Sequence, residues 1–131
     1  TRNHAEVLKA FRLAAFNVLA HNRDDHVKNF AFRLDDGTGE WSLAPAYDLT
    51  FSEGPGGEHS LTVAGEGRRP GPQHLRALAA RSGLAAREAS AIVDEVRAAV
   101  ARWPEIAAEA GVPEDLAAEI AARLPSKNGA K

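Results

Sequence analysis

Residues 4–20 carry apolar side chains on nearly every side of the helix that their spacing predicts, and this is the tightest constraint on the fold. Val7, Leu8, Phe11, Ala14, Ala15, Val18 and Leu19 recur at intervals of three and four, and Leu13 and Phe16 fill part of the opposite face. A helix of this kind is buried centrally, so the rest of the chain has to wrap around it. Asn3 stands where a side chain caps a helix start. The chain has 131 residues and no cysteine. That implies one domain with a modest core, and it excludes disulfide staples, thiolate metal sites and a cysteine nucleophile.

The pattern breaks at His21. The next residues, Asn22, Arg23, Asp24, Asp25, His26, Val27 and Lys28, are almost all polar. Phe30, Phe32 and Leu34 then alternate with Ala31 and Arg33, and Trp41 and Leu43 alternate again after Asp35-Asp36-Gly37-Thr38-Gly39. This reads as a hairpin with an Asp-Gly turn, ended by Pro45, which has no N–H for a ladder. Its alternation predicts that Phe30, Phe32 or Trp41 is buried against the helix over 4–20. A Gly/Pro-rich stretch follows over 53–72, with a short strand expected at His59–Val63. Alanine-rich helices are then expected over 73–82, over 86–102, after Pro104, and around Leu116, Ile120 and Leu124. Ala89, Ile92, Val93, Val96, Val100 and Trp103 form one apolar stripe. The expected fold class is mainly α with a small β-hairpin (α+β), with a domain over 1–124 and a frayed tail over 125–131.

Net charge is −2, so bulk electrostatics does not make the chain a polyanion binder. No apolar run is long enough for a membrane span, no basic-then-apolar leader opens the chain, and the expected location is the cytoplasm. Methionine is absent even at position 1. The sequence therefore reads as cut from a longer product, or as one whose initiator has been removed.

The chemistry concentrates at the two ends of the hairpin. A hairpin brings its ends together, so Asp24 and Asn29 at its entry are expected to approach Asp48 at its exit. Asp, Asn and Asp are hard oxygen donors of the type Mg²⁺ takes, with water and phosphate completing its octahedron. A carboxylate oxygen not tied to metal orients a nucleophilic hydroxyl. Phosphoryl transfer by kinases uses this order: an Asp, an Asn five residues later, then a hairpin and a metal-binding Asp.

The segments Asp24-Asp25-His26-Val27-Lys28-Asn29-Phe30 and Leu43-Ala44-Pro45-Ala46-Tyr47-Asp48-Leu49 resemble the C-terminal catalytic region of HipA-like kinases. These are the toxin kinases of bacterial toxin–antitoxin pairs. Their pattern is D-x-H-x-K-N, a hairpin, then P-x-Y-D, and the likeness runs more loosely to about Leu124. The resemblance implies a kinase C-lobe-like helical domain. It implies Asp24 as catalytic base, with His26 and Lys28 in the same catalytic loop, Lys28 meeting a phosphate of ATP, and Asn29 and Asp48 on Mg²⁺. The cofactors it implies are Mg²⁺ and ATP, and the substrate is a protein serine or threonine, in some members on a tRNA synthetase. The partner it implies is a helix-turn-helix antitoxin and, through that, operator DNA.

Such kinases also carry an ATP-binding N-terminal lobe. The G-x-G-x-x-G and G-x-x-x-x-G-K-[ST] spacings are missing here, and the glycines of 54–57 and 65–71 follow the catalytic motifs. The chain thus reads as about the last third of a kinase, inactive alone: a truncated gene product, a cut domain, or one piece of a split enzyme whose partner is a separate N-lobe fragment. The competing reading is a catalytically dead binding module that contacts an antitoxin or DNA. Plainer roles stand beside the catalytic ones. His26 braces the loop, Asp25 is a solvated charge, Arg68 and Arg69 are solvated, and His21, His59 and His74 lack a zinc constellation.

Overall fold

The computed structural model describes residues 3–125. Helix α1 (His4–Leu19) starts at Asn3, whose Oδ1 accepts a hydrogen bond from Ala5 N at 3.0 Å. Its Phe11 and Ala15 are buried in a cluster with Ala89, Ile92, Val96 and Val100 of α3 (Ala86–Val100) and with Leu75 and Ala79 of α2 (Pro72–Arg81). Val63 and Leu84, from the connecting segments, close it. The apolar stripe of α3 is therefore core, as its spacing predicts; α1 and α2 both pack on α3, whereas α4 and α5 pack on each other, so the chain does not wrap around α1 as its apolar periphery suggested. Proline opens α2 in its first turn, where the missing N–H costs nothing, and Gly83 at φ 73° follows its end.

The hairpin joins β1 (Phe32–Leu34) to β2 (Trp41–Leu43), antiparallel, with Phe32 opposite Leu43 and Leu34 opposite Trp41. Asp35 Oδ1 organises the turn by accepting from Gly37 N, Thr38 N and Thr38 Oγ1. The hairpin is moored to α1 by a polar contact: Leu43 N donates to Glu6 Oε2 at 2.6 Å, and Lys9 Nζ holds the other carboxylate oxygen. Its aromatic face is not buried as alternation suggested. Phe32 is 51% exposed and Trp41 54%, and only Phe32 reaches a groove beside Val7 and Ala10 of α1. Phe30 is half-buried. Each strand has three residues, and the mooring sits at the Leu43 end, so the distal half of the hairpin stands clear of the helices.

The strand expected over 59–63 is absent. The N–H groups of His59, Ser60 and Leu61 go to the Gly67 carbonyl, to the Arg23 carbonyl and to a side chain of the 23–26 loop, so no ladder forms. Val63 and Glu66 make an isolated two-bond bridge across Ala64 and Gly65, both at positive φ. The long helix stops at Val100 rather than Arg102. Helix α4 (Trp103–Glu109), with Pro104 in its first turn, and α5 (Glu114–Ala121) form a pair tied by Trp103 Nε1 donating to the Ala117 carbonyl at 2.9 Å. The last helix ends before Leu124, and the tail expected over 125–131 falls, after Pro125, outside the described residues. No helix among the described residues is long and apolar enough to cross a membrane.

Candidate active site

The site begins where α1 ends. Asn22 folds back on the helix, with its N donating to the Asn17 carbonyl at 2.9 Å and its Nδ2 to Asn17 Oδ1 at 3.0 Å, both residues buried. His21, at φ 56°, stacks on Phe51, and burial holds its imidazole below the usual histidine pKa. Ser52 N donates to the His21 carbonyl and Arg23 N to the Ser52 carbonyl, a parallel bridge that sets the segment after the hairpin beside the polar loop.

Residues 23–26 form neither helix nor strand, and their side chains face two ways: Arg23 and Asp25 reach the segment 57–68, and Asp24 and His26 face Asp48. Asp24 and His26 are half-buried, with His26 Nε2 3.9 Å from Asp24 Oδ1. A single 3-10 turn over Val27–Asn29 brings Asn29 back toward them. Asn29 Nδ2 donates to the Asp24 carbonyl at 3.1 Å and to Asp48 Oδ2 at 3.0 Å. Tyr47 Oη donates to the Lys28 carbonyl at 2.6 Å, clamping the hairpin exit to its entry. Asp48 itself sits at φ 53°.

The hairpin thus brings Asp24, Asn29 and Asp48 together. One ligand atom each from Asp24, His26 and Asp48 lies within 4.8 Å of the others. Donors around one Mg²⁺ at bonds of about 2.1 Å are roughly 3–4 Å apart, so this spacing accepts an ion after a small shift or through one water. The donor chemistry fits Mg²⁺ through the Asp48 carboxylate and the Asn29 side-chain oxygen, with the Asp24 carboxylate beside them; a hard ion prefers such oxygens to the His26 imidazole. His26 Nδ1 is buried without a hydrogen-bond partner. Lys28 belongs to the site through its carbonyl. Its side chain is exposed, and its ammonium makes no ion pair among the described residues.

Asp25 is not a solvated charge. It is 4% exposed, and its carboxylate accepts from Ser60 N at 2.8 Å, from Leu61 N at 3.2 Å and from His59 Nδ1 at 3.0 Å. Arg23 crosses the same interface, its Nη1 donating to the Gly57 carbonyl at 2.7 Å and its Nη2 to the Arg68 carbonyl at 3.3 Å. Arg68 pairs with Glu58 at 2.6 Å while remaining exposed. Neither His59 nor Arg23 carries a motif signal; the one available hint was the pair of adjacent aspartates, of which one faces Asp48 and the other His59.

Comparison with known proteins gives a family for most of the chain. The family of HipA-like C-terminal domains matches residues 1–103. The match takes in the polar loop, the hairpin and α1 to α3, and stops at the start of α4. No curated protein and no solved structure gives a significant match. With its catalytic-type residues in the order and proximity described, the chain belongs to the family of HipA-like C-terminal domains.

Proposed function

We propose that the chain is the C-terminal lobe of a HipA-like protein serine/threonine kinase, working with an ATP-binding lobe. The observation that carries this reading is the convergence of Asp24, Asn29 and Asp48, with Asn29 bonded to both partners. In this reading Asp24 accepts a hydrogen bond from the substrate hydroxyl and takes its proton as the oxygen attacks. Asn29 and Asp48 hold Mg²⁺, which when bound neutralises the phosphate charge that develops during transfer. His26 stands beside Asp24, its Nε2 3.9 Å from Asp24 Oδ1, and Lys28 is free to meet a phosphate. The substrate is a protein side-chain hydroxyl in the cytoplasm, and a helix-turn-helix antitoxin with its operator DNA is the expected partner.

A reading as a non-catalytic binding module draws on one feature, the apolar hairpin face of Phe32, Leu34 and Trp41 left open to solvent. The two readings separate in one experiment. The chain is mixed with an ATP-binding lobe from a HipA-like kinase, and transfer of radiolabelled phosphate from ATP is followed. The kinase reading expects no transfer by the chain alone, transfer by the mixture, and loss of it with Asp24→Asn. Transfer that survives Asp24→Asn overturns the assignment of the base.

A further inference from the structure

We propose that His59 is a positioning residue of this site, acting through Asp25; the inference rests on the reading of Asp24, Asn29 and Asp48 given above. The two side chains form an almost fully enclosed pair, 3% and 5% exposed, linking segments 34 residues apart. One oxygen of Asp25 already accepts two backbone N–H groups, and a carboxylate only accepts, so His59 Nδ1 carries the proton and donates. His59 is fixed in turn by its own N, which donates to the Gly67 carbonyl at 2.8 Å.

The consequence for the site follows from which way neighbouring side chains face. Arg23 and Asp25 reach the segment 57–68 while Asp24 and His26 face Asp48, so anchoring Asp25 inward fixes the outward turn of Asp24 and His26. Without the imidazole N–H, one oxygen of a buried carboxylate is left without a partner, and a buried unpaired charge is costly. The carboxylate then gains by rotating toward water. That rotation carries the Asp24 carbonyl away from Asn29 Nδ2 and moves the Asp24 side chain with it. Ser60 ties the same segments a second time, its Oγ and its N, which is shared with Asp25 Oδ1, donating to the Arg23 carbonyl, but none of these bonds reaches Asp25 Oδ2, the oxygen that His59 holds.

The test reads the Asn29 side-chain amide by nitrogen-15 NMR of the full chain, without metal. Both of its hydrogen bonds belong to the site, so its exchange with water reports the geometry directly. His59→Phe keeps a flat aromatic ring, somewhat larger than imidazole, and removes the donor. We expect it to speed exchange of the Asn29 amide about tenfold while the α1 backbone amides around Ala15 keep their rates. His59→Asn, whose amide nitrogen is attached at the same branch point as Nδ1, restores the wild-type rate. If His59→Phe does not fold, Asp25→Ser takes its place, since serine satisfies a backbone N–H but does not reach His59. An unchanged Asn29 amide, or a rate change shared equally by α1, overturns the proposal by reducing the pair to general stability. Mn²⁺ is then added to the wild type. Failure to broaden the Asp24 and Asp48 resonances counts against the metal-site reading alone, because the His59 comparison is made without metal.

Discussion

Asn29 Nδ2 lies 3.0 Å from Asp48 Oδ2, although 19 residues and a whole hairpin separate them in the chain. The same nitrogen holds the Asp24 carbonyl. One amide therefore joins the entry of the hairpin to its exit. The Tyr47 hydroxyl repeats the connection at Lys28, so the geometry of the three oxygen-bearing residues is set by hydrogen bonds rather than by apolar packing.

Metal binding should depend on that arrangement. Mg²⁺ alone is expected to bind weakly, since the ion gives up its water reluctantly and the protein offers few ligands. Asp48→Asn retains the side-chain shape and removes the charge, and it should weaken Mn²⁺ binding by about tenfold or more. Titration followed by electron paramagnetic resonance measures this, and equal affinity in the variant would place the ion elsewhere.

Core and hairpin should respond differently to the same truncation. Phe11 is 3% exposed in the central cluster, and Phe11→Ala is expected to cost about 3–5 kcal/mol. Phe32 is half exposed, and Phe32→Ala should cost about 1 kcal/mol or less. Urea denaturation of both variants gives the comparison. A larger loss for Phe32 would mean that the hairpin packs more closely than its exposure indicates.

Acid should loosen the hairpin from α1. Glu6 has its pKa lowered, first by the Lys9 hydrogen bond and then by the Leu43 N–H. A carboxyl depressed in the folded state contributes stability above its unfolded value, about 4.3. That contribution is lost as pH falls through the folded value. Glu6→Gln should therefore show a smaller fall in melting temperature between neutral pH and about pH 4 than the wild type. Parallel curves for the two proteins would show that the Glu6 carboxylate adds nothing specific.

The α4–α5 pair should hinge on one indole. Trp103→Phe keeps one aromatic ring and deletes the pyrrole half with the N–H that meets the Ala117 carbonyl, at a cost of about 1 kcal/mol for the hydrogen bond and more with the lost packing. Hydrogen exchange of the α5 amides is the direct measure, with faster exchange there and little change in α1.

Much of this molecule was readable from spacing. The apolar intervals of α1, the capping Asn3, the Asp35–Gly39 turn and the stripe on α3 each reflect local periodicity or a local hydrogen bond, which a sequence displays. The order Asp24, Asn29, hairpin, Asp48 was readable because a hairpin has only one way to bring its ends together. The Asp25–His59 pair was not. It joins two irregular segments, and no period relates them. Exposure of Phe32 and Trp41 was also hidden, because alternation says which residues share a face and not what covers that face. The segment 59–63 has the composition of a strand, but it lost its ladder to a carboxylate contributed by another loop.

The left-handed backbone at Asp48 bears on how this position can change over evolutionary time. At φ 53° a β-branched or bulky side chain is strained, while Gly, Asn and Asp are accommodated. Of these, Asn removes the negative charge and Gly removes the side chain altogether. The substitutions that the backbone tolerates best are thus the ones that abolish the carboxylate. Selection for that chemical group and selection for that fold therefore act on a single codon, and drift at position 48 would silence the site while leaving a well-folded protein behind.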